Sequence, residues 1–208
     1  MKYYVPFRTL KNKYQSITLH KKSENFEINK VGETLNPIFI EEAYKKSNNN
    51  FSSPPDLMIF DNCIFSNSKL KDHLCSKKYN IKYQESIFID NSKKYHEDYW
   101  AIVPIDIIDI IDIIDIIDTK SSIMELTFEL DSNNPLYNDY LFESIIVDKK
   151  KTKGIQPIFI EPYTKEIVIE ESILEFIKEN KLTGLSFIDI TKFQPHKMFK
   201  KNNDIINI

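Results

Sequence analysis

The pattern of apolar and polar positions is clearest in residues 155–190, where it predicts strand, turn, strand, helix and strand. Isoleucines alternate with other residues at period two in 158–160 and in 167–169, which predicts two strands. They then recur at helical spacing at four positions: Ile173, Leu174, Phe176 and Ile177. Gly184 ends the stretch with helical spacing. It carries a scaffold pattern without a nucleophile elbow, phosphate loop or metal-ligand pair, which favours a function in surface contact.

Earlier segments predict further strands and one more helix. Six short ranges have the composition of strands: 3–10, 14–19, 57–60, 63–65, 86–89 and 99–105. Ser66 is a favourable N-cap for a helix through residue 79, one face of which carries Leu70 and Leu74. We therefore expect an α+β fold with a mixed, mainly antiparallel sheet, two strand-helix-strand units and few helices.

Residues 47–55 form the clearest predicted loop because their Asn, Ser and Pro residues disfavour helix and strand. We expect it to separate N-terminal strands in residues 1–55 from a main domain in residues 56–208, within one compact unit overall. The segment 63–70 before the first helix echoes 167–174 before the second, at an offset of 104 residues. This echo suggests two related units on one sheet system, and chance similarity of two generic segments is the alternative.

An aspartate ladder follows residue 105, with pairs of isoleucines between its members: Asp106, Asp109, Asp112, Asp115 and Asp118. In an α-helix these carboxylates would drift around the axis, and in a strand they would alternate between faces. The ladder could form a calcium site or an acidic surface for a basic partner, but stiff isoleucine pairs hinder curling around an ion. We favour a strand end lengthened by duplication of a three-residue unit.

Charge is divided unevenly between the two halves of the chain. Residues 1–100 contain 16 basic and 12 acidic residues, a net charge of +4, whereas residues 101–208 contain 12 and 19, a net charge of −7. An acidic C-terminal half disfavours nucleic-acid binding and suits a basic protein partner, although a solvated surface has the same composition. Partner contacts are expected at ladder aspartates and aromatic residues: Asp109, Asp112, Asp115, Trp100 and Tyr140.

Residue types that support catalysis are scattered along the chain. Four histidines lack zinc-ligand spacing, and three glycines do not supply a phosphate-binding loop. We therefore expect no catalytic, cofactor-binding or metal-binding residues, and we interpret Cys63 as a core residue. Two cysteines in 208 residues, together with the lack of a continuous apolar leader or span, indicate a cytoplasmic protein that does not bind membranes.

Several segments follow one another in a distinctive order: Pro55-Asp-Leu-Met-Ile-Phe, Phe65-Ser with its helix, Tyr99-Trp-Ala-Ile-Val, Ile155-Gln-Pro-Ile-Phe-Ile, and Ile167-Val-Ile followed by Leu182-Thr-Gly-Leu-Ser-Phe. In this order they resemble a family of bacterial immunity proteins that accompany polymorphic toxins. The resemblance covers roughly residues 56–190, its most specific part is 182–187, and the aspartate ladder departs from it. It implies a cytoplasmic protein that binds and blocks a cognate toxin domain, with no reaction and no cofactor of its own.

Two other classes of function are alternatives. A small hydrolase using carboxylates and histidine would require a concave pocket that gathers at least two titratable residues. An adaptor component of a secretion machine would be favoured by a large exposed apolar patch and a symmetric assembly.

Overall fold

The computed structural model describes residues 1–8, 17–43, 54–105, 114–194 and 204–208. These residues contain two α-helices and thirteen strands, and nearly all strand pairs are antiparallel. The described chain is an α+β protein with mainly antiparallel sheets, as the hydrophobic pattern predicts. No helix in the described ranges is long and apolar enough to cross a membrane.

The strands are β1 (Tyr3–Phe7), β2 (Ile17–Leu19), β3 (Ile38–Glu42), β4 (Leu57–Phe60), β5 (Cys63–Asn67), β6 (Ile81–Ile89), β7 (Tyr95–Pro104), β8 (Ile123–Phe128), β9 (Asp139–Ser144), β10 (Ile158–Glu161), β11 (Glu166–Glu170), β12 (Ser186–Asp189) and β13 (Ile206–Asn207). The helices are α1 (Ser68–Ser76) and α2 (Glu171–Glu179).

The described residues divide into two compact units. The first unit draws on residues 1–7, 106–176 and 186–207, and the second draws on residues 8–105, 177–185 and 208. This division differs from the predicted boundary after residue 55, because the N-terminal strand β1 is an inner strand of the first unit.

The first unit is built on a five-stranded antiparallel sheet of order β10-β11-β1-β12-β13. Tyr4 in the central strand β1 lies opposite both Ile169 and Asp189. One face of this sheet contributes Tyr3, Val5, Phe159, Val168 and Ile188 to a buried core. Six buried residues from outside the sheet complete this core: Ile116, Ile117, Phe142, Ile145, Ile190 and Phe193. The alternating isoleucines of 158–160 and 167–169 form β10 and β11 as predicted.

The second unit is built on a six-stranded sheet of order β2-β3-β6-β7-β5-β4, in which only β3 and β6 are parallel. Helix α1 contacts β5 and β7 and buries Leu70 and Leu74. Phe65, Phe88 and Ala101 belong to the core of this unit. Cys63 is a core residue as predicted, and its burial raises the pKa of the thiol above the ordinary range.

The start of α1 differs from the prediction that Ser66 is its N-cap. Strand β5 continues to Asn67 because Ser66 and Asn67 pair with Trp100 and Tyr99 of β7. Asn67 therefore occupies the cap position, and its side chain makes no capping hydrogen bond. The helix runs from Ser68 to Ser76 and ends before the predicted residue 79. Strand β3 and the β8–β9 pair were not predicted.

Each α-helix follows one strand and precedes another along the chain. Strand β5 leads into α1 and then β6, and β7 lies between those strands in the sheet. Strand β11 leads into α2 and then β12, and β1 lies between them. The two segments lie in different sheets and do not share one sheet system.

Residues 182–185, the start of the most specific sequence segment, are anchored to the start of β4 within the second unit. The backbone N–H of Leu57 donates to the Thr183 carbonyl oxygen at 2.9 Å. Asp56 Oδ2 accepts from the backbone nitrogen and Oγ1 of Thr183 at 2.9 and 3.0 Å, and Asp56 Oδ1 accepts from Asn67 Nδ2 at 2.6 Å. Two of the segments that carry the family resemblance are thus in contact, which gives these residues a structural role.

Candidate functional site: an acidic and apolar hairpin arm

The first unit carries a hairpin arm, defined here as β8, β9 and the loop 129–138 between them. Met124 lies opposite Phe142, Leu126 opposite Tyr140, and Phe128 opposite Asp139. Within the described residues β8 and β9 form a two-stranded sheet of their own. Because an isolated two-stranded sheet is marginally stable in water, the arm depends on its attachment at the base.

The base of the arm is anchored in the core of the first unit. Phe142 is 1% exposed and packs in the cluster that includes Ile116 and Ile117. An additional bridge pairs Ile117 with Val147 below the arm. Ile146 accepts a hydrogen bond from the Asp118 nitrogen at 2.8 Å and donates one to Ser122 Oγ at 2.9 Å. These contacts fix the strands where they leave the core.

One face of the arm carries an apolar row that runs from the core into solvent. Opposite residues share a face, as do second neighbours along a regular strand, so Met124 and Phe142 are followed by Leu126 and Tyr140. The register then shifts, and Phe128 lies opposite Asp139 beyond the shift. The exposed fraction rises from 1% at Phe142 to 46% at Leu126 and 59% at Phe128. A contiguous row of exposed apolar side chains is typical of an interaction site.

The loop of the arm adds further exposed apolar residues on an ordered backbone. Leu130 and Tyr137 are both exposed. The buried Asn138 orders the loop, because its Oδ1 accepts from the backbone nitrogens of Leu130 and Asp131 at 2.8 and 3.0 Å. Lys165 Nζ donates to the Leu136 carbonyl oxygen at 2.6 Å and ties the loop to the β10–β11 turn. The surface is therefore preorganised, which lowers the entropic cost of binding.

Charge on the arm is of one sign. Residues 121–148 contain six acidic and no basic residues. Four of the acidic residues are exposed: Glu125, Glu129, Asp139 and Glu143. A surface of carboxylates beside apolar side chains favours a positively charged partner and disfavours nucleic acid.

A buried carboxyl organises the β10–β11 turn next to the arm. Glu161 Oε2 accepts from the backbone nitrogens of Tyr163 and Thr164 at 2.9 and 2.8 Å. Burial raises the pKa of Glu161 to about 8, and the negative charge of Asp115 contributes to the rise. The Tyr163 ring packs on Tyr140 of the arm, with ring centroids 5.7 Å apart. The turn therefore supports the arm through an aromatic contact.

The predicted contact residues lie in different places. Tyr140 is half-buried in the arm, and Asp115 is half-buried in the first unit, where its Oδ2 accepts from Lys151 Nζ at 2.6 Å. Trp100 belongs to the second unit, with Lys71 Nζ 4.3 Å from its ring centroid. Asp109 and Asp112 lie outside the described residues. The structure thus places one predicted residue in the arm, pairs another with lysine and assigns Trp100 to the other unit.

The described members of the aspartate ladder make local hydrogen bonds. Asp115 Oδ1 accepts from the Ile117 nitrogen at 2.9 Å. Asp118 Oδ1 accepts from the nitrogens of Lys120 and Ser121, and the hydrogen bonds from Ser121 lower the pKa of Asp118. In the part of the chain that the structure describes, no three His, Cys, Asp or Glu side chains gather in a group suited to a metal ion.

The described residues include two open grooves. A groove of about 460 Å³ in the second unit is lined by Lys21, Lys22, Glu27, Lys30 and Gln84 among others. A groove of about 400 Å³ in the first unit is lined mainly by Met1, Tyr3 and residues 145–147, with Lys2, Lys149 and Asp189. Neither groove is lined by a histidine.

The exposed residues of the arm were not predicted from the sequence as contact residues. Two signals point to them. Apolar residues alternate with others from Met124 to Phe128, and lysine is missing from residues 121–148 although it is common elsewhere in the chain.

Comparison with protein-family models finds no match for this chain, and comparison with curated proteins finds no significant match. A functional proposal therefore depends on the chemistry and geometry of the chain itself.

Proposed function

We propose that the chain is an immunity protein that binds a cognate bacterial toxin domain in the cytoplasm and neutralises it by protein contact. The observation that carries this proposal is the hairpin arm, which exposes Leu126, Phe128 and Leu130 beside carboxylates on an ordered backbone. The resemblance of residues 56–190 to immunity proteins supports the same function.

Neutralisation by contact requires affinity and specificity and needs no reaction. Apolar and aromatic side chains that become buried supply most of the binding energy at protein interfaces. Charged groups around them orient the partner and exclude incorrect partners. The arm offers both kinds of group, and its anchored base and loop reduce the ordering needed on binding.

The proposal is tested with the products of the genes that adjoin the gene for this chain, one of which is expected to encode the toxin. We expect co-expression to restore growth of cells that produce this toxin. We also expect the two purified proteins to form a stable complex in size-exclusion chromatography with light scattering. Failure of the chain to bind any neighbouring gene product would contradict the proposal.

The exposed apolar row also favours a second candidate, an adaptor component of a secretion machine. Such a component would use the row to assemble symmetrically with further copies of itself. Light scattering of the purified chain over a hundredfold range of concentration separates the candidates. A closed symmetric oligomer favours the adaptor, and a monomer that binds the toxin favours the immunity protein.

The two strand-helix-strand segments are, we propose, related units that form the scaffold for this function. Helix α1 begins at Ser68 and α2 at Glu171, an offset of 103 residues, one less than the sequence echo suggests. At this offset the buried Leu70 and Leu74 match the buried Ile173 and Ile177. Two lysines with positive φ after the helices match in the same way: Lys78 and Lys181.

A further inference from the structure

We infer that the hairpin arm is the surface that contacts the toxin, and that it docks by its side chains on a basic protein surface containing an apolar recess. This inference rests on the proposed function and specifies the binding surface and the chemistry of the partner.

The charge of the arm determines the sign of the partner surface. The exposed carboxylates of Glu125, Glu129 and Asp139 lie on the two strands and at the start of the loop, and residues 121–148 supply no basic side chain. Lys165, which reaches the arm from outside that range, directs its ammonium group to the Leu136 carbonyl oxygen. The arm therefore has a negative electrostatic field, which attracts lysine and arginine side chains on the partner and speeds association at low salt.

The apolar row determines the shape of the partner surface. Leu126 follows Met124 and the core residue Phe142 on one face, and Phe128 lies beyond the register shift at the outer end of β8. Their exposed surface leaves water only if the partner supplies a recess, and aromatic anchors in such recesses are the commonest binding hot spots.

Addition of a partner strand to the arm is disfavoured by the pairing of β8. Its register with β9 shifts between Ile123 and Met124 and again between Leu126 and Phe128. Such irregularities increase the local twist and interrupt the row of backbone donors and acceptors that a new strand would need. Docking by side chains is therefore favoured over strand addition.

A second copy of the chain is also a poor occupant of the arm. Two arms packed through Phe128 would bring carboxylates of the same sign together, because Asp139 lies opposite Phe128 and the exposed Glu129 follows it. Like charges placed opposite one another disfavour association. A basic partner that covers Phe128 also meets the carboxylates of Asp139 and Glu129 beside it.

The experiment uses surface plasmon resonance at 50 and 500 mM salt to measure binding of the purified products of the adjoining genes, one of which is expected to be the toxin. One variant removes the apolar anchors (Leu126→Ser with Phe128→Ser), and a second removes charge (Glu125→Gln, Glu129→Gln and Asp139→Asn). Matched controls in the second unit are Leu35→Ser, which replaces a fully exposed leucine, and Glu24→Gln with Glu97→Gln, which neutralises exposed carboxylates. Circular dichroism checks that every variant is folded.

We expect the apolar variant to weaken binding at least about tenfold, mainly by faster dissociation. The charge variant should slow association about tenfold at 50 mM salt and reduce the salt dependence. The control variants should stay within about twofold of the wild type, because isolated exposed residues outside an interface contribute little.

If the wild type binds the toxin and both arm variants bind within twofold of it, the inference is overturned and the proposed function stands. If the wild type does not bind, the proposed function itself fails. Concentration-dependent self-association of the wild type that the apolar variant abolishes would overturn the inference in favour of a second copy.

Discussion

Replacing Gly184 by alanine should destabilise the second unit by about 4 kcal/mol or more, close to the whole stability of many domains. Gly184 has a φ of +120°, which side chains other than glycine rarely adopt. An added Cβ would overlap the carbonyl oxygen of Leu57 and lie 2.8 Å from Cβ of Pro55. The backbone of residues 183–184 must therefore move away from the start of β4.

The magnitude follows from the contacts that this movement breaks. The strained backbone conformation costs about 1–3 kcal/mol for alanine. Loss of the hydrogen bond from the Leu57 nitrogen to the Thr183 carbonyl oxygen costs about 1 kcal/mol, and each hydrogen bond to the Asp56 carboxylate is worth about 1.5–3 kcal/mol. Partial loss of these contacts already brings the total to about 4 kcal/mol.

Trp100 is the single tryptophan of the chain and lies in the second unit, so its fluorescence during urea unfolding reports on the unit that contains Gly184. Gly32→Ala in the same unit is the matched control. Gly32 has a φ of +78°, but the nearest atom to an added Cβ is 3.5 Å away. This variant should lose only about 1–2 kcal/mol, which is the cost of a left-handed alanine. Equal losses in the two variants would refute the steric reasoning.

Three further predictions concern other local features. Lys78→Gly and Lys181→Gly should each stabilise the second unit by about 0.5–1 kcal/mol, because both lysines have a positive φ that glycine adopts without strain. A loss of stability in urea titrations would contradict this prediction. Asp56→Ala should lower the free energy of unfolding by about 3 kcal/mol, because it leaves three donors from Thr183 and Asn67 unpaired. Asp56→Asn should lower it less, because asparagine keeps an acceptor. Equal urea midpoints for the two variants would contradict this prediction. The pKa of Glu161 in the folded protein, about 8, lies above its ordinary value of 4.5. The contribution of Glu161 to the free energy of unfolding is therefore fully present below about pH 4.5 and is lost as the pH rises through about 8. Glu161→Gln should flatten this part of the pH dependence of stability in calorimetry. An unchanged pH dependence in the variant would contradict the prediction.

Local pattern was sufficient to predict part of the fold. The apolar runs 158–160 and 167–169 correspond to β10 and β11, which are buried on both faces. The helical spacing from Ile173 to Ile177 corresponds to α2, because burial of one helix face leaves a period in the sequence. The start of α1 was misplaced because pairing of Ser66 and Asn67 with β7 extends β5 beyond its apolar residues. Strand pairing joins residues that are distant in the sequence, so the neighbouring residues do not predict it.

The sequence by itself determined the α+β class, the acidic C-terminal half and the core position of Cys63, since these depend on composition and short-range periodicity. Tertiary structure alone decided that β1 lies between β11 and β12, and that Asp56 and Gly184 join distant segments within the second unit. It also decided which apolar residues are exposed. Leu126 and Phe128 have the hydropathy of core residues, and only the position of the arm beyond the packed base leaves them in solvent.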